Sequence, residues 1–389
     1  MFETGLEAFL QQEYKKYRRL RLGVLCNQAS VDKNLIHISQ AILQKKLGLQ
    51  VTCFFGPQHG IRSEKQDNMI ESEDFIDPIS QLPVISLYAQ SREPSEESVK
   101  NLDAFVIDLQ DIGTRIYTFI YTMANCMRAA RKFGKKVIVL DRPNPINGVS
   151  TEGNVLESAF TSFVGQFPIC ARHGMTMGEL ALLFNEAFGV GCDLEVVRMR
   201  GWKRNFFADD LNRDWIPPSP NIPSLISALV FPGCVLFEGT NVSEGRGTTR
   251  PFEWIGAPYI NPDKLATEMN GMKLTGAYFR PIYFQPTYQK WMGEVCGGVH
   301  LHVTNRRRFN SFQAGVRLLT KIAELYPESF RWKNPPYEYE HDRMPIDLIA
   351  GTSKLREAID QGRGTKGFEM MAEEQLREFR KLRADYLLY

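Results

Sequence analysis

No Cys-x-x-Cys pair, no Gly-x-x-x-x-Gly-Lys-Ser/Thr loop and no His-Glu-x-x-His motif occurs in the 389 residues, and no Gly-x-Gly-x-x-Gly follows the first strand-like run. These absences speak against a zinc ribbon, a nucleotide phosphate loop, a zincin and a dinucleotide fold. Charge of one sign is also lacking: the formal net charge is +2. That gives no electrostatic case for nucleic acid or an anionic membrane as partner. No apolar run approaches the roughly 18 residues that cross a bilayer. The N-terminus lacks the basic and apolar regions of a signal peptide, so a cytoplasmic location is expected. The seven cysteines are scattered and mostly lie inside apolar runs. They read as free thiols in a reducing compartment, not as a disulfide frame. The six histidines do not cluster, and no metal is expected; His300 and His302 merely alternate along a strand-like run.

The chain carries apolar patterning of two kinds. Strand-like runs occur at 20–26, 49–55, 84–87, 104–109 and 137–140, with helical periodicity at 35–46, 95–102 and 117–133. Strands that are apolar throughout and alternate with helices imply a parallel sheet covered on both faces. The expected fold is therefore α/β: a Rossmann-like, doubly wound, mostly parallel sheet. A helix at 176–188 opens on Thr176 with Glu179 three residues on, a capping-box pattern, and a strand follows at 194–199. The proline-dense 216–223 cannot be regular structure. Strands at 277–284 and 298–303 and helices at 312–325, 354–360 and 373–388 suggest a smaller α+β C-terminal domain. The division is expected at 1–261 and 262–389.

In an open α/β sheet, ligands bind outside the carboxyl ends of the strands. Those ends are polar here: Asn27 after the first run, Gln58 and His59 after the second, and Asp108, Asp111, Arg115 and Tyr117 after the fourth. After the fifth come Asp141, Arg142 and Asn144, then Glu152. His173 lies in a second polar motif. The stretch 237–253 is richer still, with three carboxylates, two arginines, four hydroxyl residues and three glycines. Glu238, Thr240, Asn241, Glu244, Arg246 and Arg250 could hold a hydroxylated or anionic ligand, since carboxylates accept from hydroxyls and guanidinium forks match carboxylates. Tyr117, Trp215 and Trp254 could stack on a sugar face. No serine or cysteine has a nucleophile's frame. Acids suit sugar chemistry: glycoside hydrolysis uses two carboxyl groups, about 5–5.5 Å apart when configuration is retained and about 6.5–9.5 Å apart when it is inverted.

Several motifs resemble those of a family once known only as a domain of unknown function and now associated with exo-β-N-acetylmuramidases. They are Phe55-Gly-Pro-Gln-His-Gly-Ile61, Asp108-Leu-Gln-Asp-Ile-Gly-Thr-Arg-Ile-Tyr117, Leu140-Asp-Arg-Pro-Asn-Pro145, Glu152-Gly153, Arg172-His-Gly-Met-Thr176, Pro218-Ser-Pro-Asn-Ile-Pro223 and the run from Leu236 to Phe252. The resemblance spans about residues 20–362. It implies a Rossmann-like domain bearing the pocket and release of N-acetylmuramic acid from the non-reducing end of peptidoglycan fragments, with no metal or cofactor. It also implies two catalytic glutamates. Glu152 matches one of them; Gln58 stands where the other is expected. An amide cannot exchange a proton. Asp108, Asp111, Glu238 or Glu244 would then supply the missing acid, or Gln58 would orient a water. Alternatively, the chain binds muropeptide sugars without cleaving them.

Overall fold

The computed structural model describes residues 2–67, 70–89 and 91–389. Its strands begin with β1 (Arg21–Cys26), β2 (Gln50–Gly56), β3 (Phe75–Ile76), β4 (Pro83–Ser86), β5 (Ala104–Asp108) and β6 (Lys136–Leu140). A separate antiparallel ribbon, β7 (Glu152–Val155) with β8 (Cys170–Arg172), follows, and β9 (Asp193–Val197) returns to the main sheet. The seven strands run in the order β3-β4-β2-β1-β5-β6-β9. All adjacent pairs are parallel except β3 with β4. From β1 the chain winds one way through β2 and β4, then the other way through β5, β6 and β9. The switch point therefore lies between β1 and β5.

The side-chain period of two explains why this sheet is covered twice. Ala104 and Val106 of β5, with Ile138 and Leu140 of β6, face α1 (Gly5–Gln11) and α2 (Ile38–Gln44). The intervening Phe105, Ile107, Val137 and Val139 face the opposite core, which α4 (Phe119–Phe133) and α5 (Met177–Glu186) cover; the short α3 (Glu96–Val99) precedes β5. These β5 and β6 side chains are all at most 1% exposed. At about 1.5–3 kcal/mol for burying one such side chain, the two faces are the sheet's main source of stability. The capping box at α5 forms as its residues suggest: Thr176 Oγ1 accepts from Glu179 N, and Thr176 N donates to Glu179 Oε2 at 3.0 Å.

Beyond β9 come α6 (Leu225–Cys234), β10 (Trp254–Ala257), α7 (Pro262–Gly271), β11 (Ala277–Phe284), β12 (Cys296–Val303), α8 (Ser311–Leu325), α9 (Pro345–Ala350), α10 (Lys354–Asp360) and α11 (Lys366–Ala384). The order β10-β12-β11 makes a three-stranded antiparallel sheet. This is the smaller C-terminal domain, and because β10 pairs with β12 its sheet draws on residues before 262. Helices α6 and α8 touch backbone to backbone. A Cβ on Gly315 would stand 2.2 Å from Gly233 O, so both helices need glycine there. The larger hydrophobic core runs unbroken from Leu25 to Phe379 and joins the two parts. The chain end returns to the first domain, where the Tyr389 hydroxyl donates to Asp141 Oδ2 at 2.7 Å. No helix among the described residues is long and apolar enough to cross a membrane.

Candidate active site

A cavity opens where the end of β2, the start of α4, the 216–223 turn and the 237–253 segment converge with residues 337 and 338. It holds about 490 Å³ of empty space, its open mouth included. Only about 50 Å³ of that space admits a water-sized sphere, well below the usual range for small-molecule sites, so a sugar residue would have to occupy the open mouth as well. Of the residues singled out in the sequence, Gln58, His59, Tyr117, Glu238 and Arg246 line it.

The turn after β2 sets the first wall. Gly60 N donates to Pro57 O at 3.0 Å, and His59 and Gly60 take φ of +72° and +85°. This turn buries Gln58 and His59. Burial lowers the His59 pKa to about 4, even though its Nδ1 lies 2.8 Å from Lys65 O, so the ring is neutral near pH 7. The Gln58 amide is oriented from both ends. Thr118 Oγ1 donates to its Oε1 at 2.7 Å, and its Nε2 donates to Glu338 Oε1 at 3.3 Å. Glu338 Oε2 accepts from the Tyr88 hydroxyl at 2.7 Å. Burial raises the Glu338 carboxyl above its ordinary range, and the Glu238 charge adds to this; the donors from Tyr88 and Gln58 oppose it.

Glu338 was not among the residues expected from sequence. It stands in a two-residue hairpin turn closed by Tyr337 N to Glu340 O and Glu340 N to Tyr337 O, each 2.9 Å. Glu338 and Tyr339 both adopt left-handed φ, +46° and +68°. Turns of this shape favour Asn-Gly, and each side chain here costs about 1–2 kcal/mol. The neighbours hold the strained turn in place: the Arg92 guanidinium lies 3.7 Å from the Tyr339 ring centroid, and the Tyr339 hydroxyl donates to Glu71 Oε1 at 3.0 Å. Nothing in Pro335-Pro-Tyr-Glu-Tyr-Glu340 marks a turn of this kind; the alternation of acid and aromatic residues is the one signal that could have found it.

The opposite wall comes from 237–253. Glu238 accepts from Arg246 Nη2 at 2.6 Å and from the Tyr337 hydroxyl at 2.7 Å. Glu244 sits behind Arg246, with Arg246 Nε at 3.3 Å and Lys290 Nζ at 2.7 Å. Burial opposes the charge on Arg246, but Glu238 and Glu244 more than offset it and raise its pKa. Burial likewise works against ionised Glu244, and Lys290 and Arg246 overcome it to lower its pKa. Arg246 Nη1 is buried without a hydrogen-bond partner. The Ser219 hydroxyl bonds the Tyr117 oxygen, but neither Arg246 Nη1 nor the Tyr117 O–H has an acceptor; a buried donor left unmade costs about 1–3 kcal/mol, so both could serve a ligand's acceptor.

The remaining expected residues lie elsewhere. Glu152, expected as general acid/base, is 3% exposed, paired to Arg172 Nη1, and accepts from Phe312 N at 3.0 Å. It ties the ribbon to α8, and the cavity does not include it. Asp108 is clamped by Arg142 Nε and Nη2 at 2.5 and 2.9 Å. Asp111 accepts from Gly113 N at 2.6 Å and pairs with His173 Nε2 at 3.2 Å. Met175 N donates to His173 Nδ1, so the ring proton is on Nε2. Asp141 accepts from Gly178 N, Thr176 Oγ1 and Tyr389 and anchors α5 and the chain end. Arg115 is fully buried and donates to four carbonyls, those of Asn154, Ile169, Ile349 and Ala350. Asn144 bonds Met175 O and Ile146 N, and Asn27 bonds Gln110 O and Ala29 N. Thr240 and Asn241 are absorbed in local loop bonds, to Phe237 O and Ser329 O respectively. Arg250 is half exposed at the rim of Glu253, and Trp254 packs on Phe284. None of these residues lines this cavity.

A larger cavity, about 1250 Å³ with its mouth, lies at the switch point beside Arg142, Arg213 and Trp215. Its strongest charges are already matched: Arg142 on Asp108, Arg213 on Glu7, and Asp209 on Arg306. The smaller cavity brings two carboxyl groups, Glu238 and Glu338, to one space beside Arg246, although these are paired too.

Comparison with known proteins agrees along the whole chain. Residues 22–226 match the family model described as exo-β-N-acetylmuramidase NamZ, N-terminal, and residues 229–389 match its C-terminal counterpart. The peptidoglycan β-N-acetylmuramidase NamZ of Bacillus subtilis strain 168 is 41% identical over 387 residues, covering 100% of this chain and 91% of that protein. A crystal structure of a DUF1343 family protein from Bacteroides fragilis NCTC 9343 superposes with a TM-score of 0.89 at 33% identity, covering 100% of this chain and 99% of that one. A second DUF1343 protein of the same organism gives 0.75 at 27% identity, with the same coverage. With both halves matched in order and the fold shared end to end, the chain belongs to the exo-β-N-acetylmuramidase NamZ family.

Proposed function

We propose that the chain is a glycoside hydrolase that releases N-acetylmuramic acid from the non-reducing end of peptidoglycan-derived fragments, and that the cavity between Gln58, Glu238 and Glu338 is where it does so. The observation that carries this reading is the cavity's inventory. Two carboxyl groups, Glu238 and Glu338, line one cavity beside a buried arginine with a free Nη1. Two carboxyl groups are what glycoside hydrolysis uses. The arginine supplies a charge-assisted donor for the lactyl carboxylate that sets muramic acid apart from other hexosamines. The Tyr117 hydroxyl is a further donor for a ring or acetamido oxygen. Glu152, bound to Arg172, belongs to the scaffold in this reading. The seven cysteines, all buried and unpaired, support action in a reducing compartment on small fragments.

Incubation with a chromogenic β-N-acetylmuramide tests the function. Release of the chromophore is expected, along with free N-acetylmuramic acid. Binding of N-acetylmuramic acid by calorimetry with no turnover would instead make the chain a sugar-binding protein.

A further inference from the structure

We propose that Glu338 is the catalytic acid of this site, taking the role that the Gln58 amide cannot fill. The proposal rests on the muramidase reading above. Geometry carries it. Because Thr118 donates to Gln58 Oε1, the Gln58 Nε2 is committed to donating, and it meets Glu338 Oε1 at 3.3 Å. The amide thus marks and holds a carboxyl group at the place where it could not itself act. The other carboxyl oxygen is fixed by Tyr88. The backbone keeps this side chain in the cavity through a left-handed turn at Glu338 and Tyr339, and strain of that kind collects at working sites.

The other acids are committed. Glu238 accepts from Arg246 and Tyr337, and Glu244 pairs with Lys290. Glu152, Asp108 and Asp111 lie outside the cavity. Among the described residues, the charged and titratable groups that face Glu338 include Tyr88, Arg92, Glu238 and Tyr337. Burial and the Glu238 charge favour the protonated carboxyl that an acid catalyst needs and outweigh Tyr88, Gln58 and Arg92, which favour the ionised form. In the reaction the Glu338 proton passes to the glycosidic oxygen as its bond to C1 breaks, and the remaining fragment leaves as an alcohol. A water oxygen bonds to C1, and the proton it sheds goes to the Glu238 carboxylate. Exchange with solvent returns both groups to their starting states.

The test compares the wild-type protein with Glu338→Gln and Gln58→Glu on a chromogenic β-N-acetylmuramide across pH. Glu338→Gln is expected to lower kcat by about 100-fold or more, the scale of general acid catalysis, with KM nearly unchanged and N-acetylmuramic acid still bound in calorimetry. Wild-type activity should fall as pH rises through the Glu338 pKa, and that alkaline limb should vanish in Glu338→Gln. Gln58→Glu places a second carboxyl against the first and should move the limb to higher pH. Should Glu338→Gln fail to fold, Tyr88→Phe decides. Losing a donor to the carboxylate must also move the limb upward, and an unmoved limb overturns the proposal. A Glu338→Gln protein with wild-type kcat and pH profile overturns it too, while leaving the muramidase reading intact. A wild-type protein that cleaves no muramide overturns both.

Discussion

Replacing Arg246 with lysine tests how the cavity recognises its substrate. Arg246 Nη2 holds Glu238 at 2.6 Å, Nε faces Glu244 at 3.3 Å, and Nη1 is buried with nothing to bond. Lysine keeps the positive charge between the two carboxylates but loses the fork, and with it the spare donor. If Nη1 receives the lactyl carboxylate, the lost bond is a hydrogen bond between charged groups, worth about 1.5–3 kcal/mol. At 1.36 kcal/mol per decade this is a roughly 10- to 150-fold fall in kcat/KM. The fall should be confined to substrates that carry the lactyl group. The assay is therefore kcat/KM on a chromogenic β-N-acetylmuramide and on the matching β-N-acetylglucosaminide, which differ in that group alone. The expected result is a drop on the muramide and a much smaller one on the glucosaminide, bringing the two values together. Equal losses on both would refute the reasoning, because Arg246 would then serve Glu238 and Glu244 and not the substrate.

Glu152→Gln should lower stability by about 3 kcal/mol in urea unfolding, because it leaves buried Arg172 without its counter-charge, while kcat per folded molecule stays within about threefold of wild type. Arg115→Met strips four buried carbonyls of their donor and should cost at least about 3 kcal/mol or prevent soluble expression, with no change in substrate preference if it folds. Tyr389→Phe removes the hydroxyl that joins Asp141 to Met199 N and should cost about 1–3 kcal/mol, read as a lower urea midpoint with the slope unchanged. Gly315→Ala puts a methyl group 2.2 Å from Gly233 O, so α6 and α8 must separate; a melting temperature equal to wild type would show that this contact is not needed.

Much of the first domain was legible because its physics is local and repetitive. Runs such as 104–107 and 137–140 are apolar at every position, which only a sheet buried on both faces accommodates, and they lie in β5 and β6. Thr176 and Glu179 announced the start of α5 by the bonds they make. The short α1 was missed because seven residues show too few turns for periodicity, although Thr4 and Glu7 form the same capping box. The ribbon β7–β8 was hidden because Glu152-Gly-Asn-Val155 is polar; it is held by the Arg172 pair and not by strand propensity. In the cavity, Gln58, Glu238 and Arg246 were visible as polar residues in unusual motifs. Glu152, expected beside them, does not line this cavity, and the sequence could not show that. A carboxylate beside a strand end reads the same in sequence whether it faces a ligand or a buried arginine, and Arg172 is 20 residues away. Glu338 was invisible because its partner Gln58 is 280 residues distant and its turn contains no glycine.

The most direct measurement is initial-rate hydrolysis of a chromogenic β-N-acetylmuramide by three proteins under one set of conditions: wild type, Glu152→Gln and Glu338→Gln. The cavity account requires turnover by wild type and, per folded molecule, by Glu152→Gln, with Glu338→Gln slower by about 100-fold or more. An inactive but folded Glu152→Gln beside an active Glu338→Gln would contradict it and move the chemistry to the ribbon.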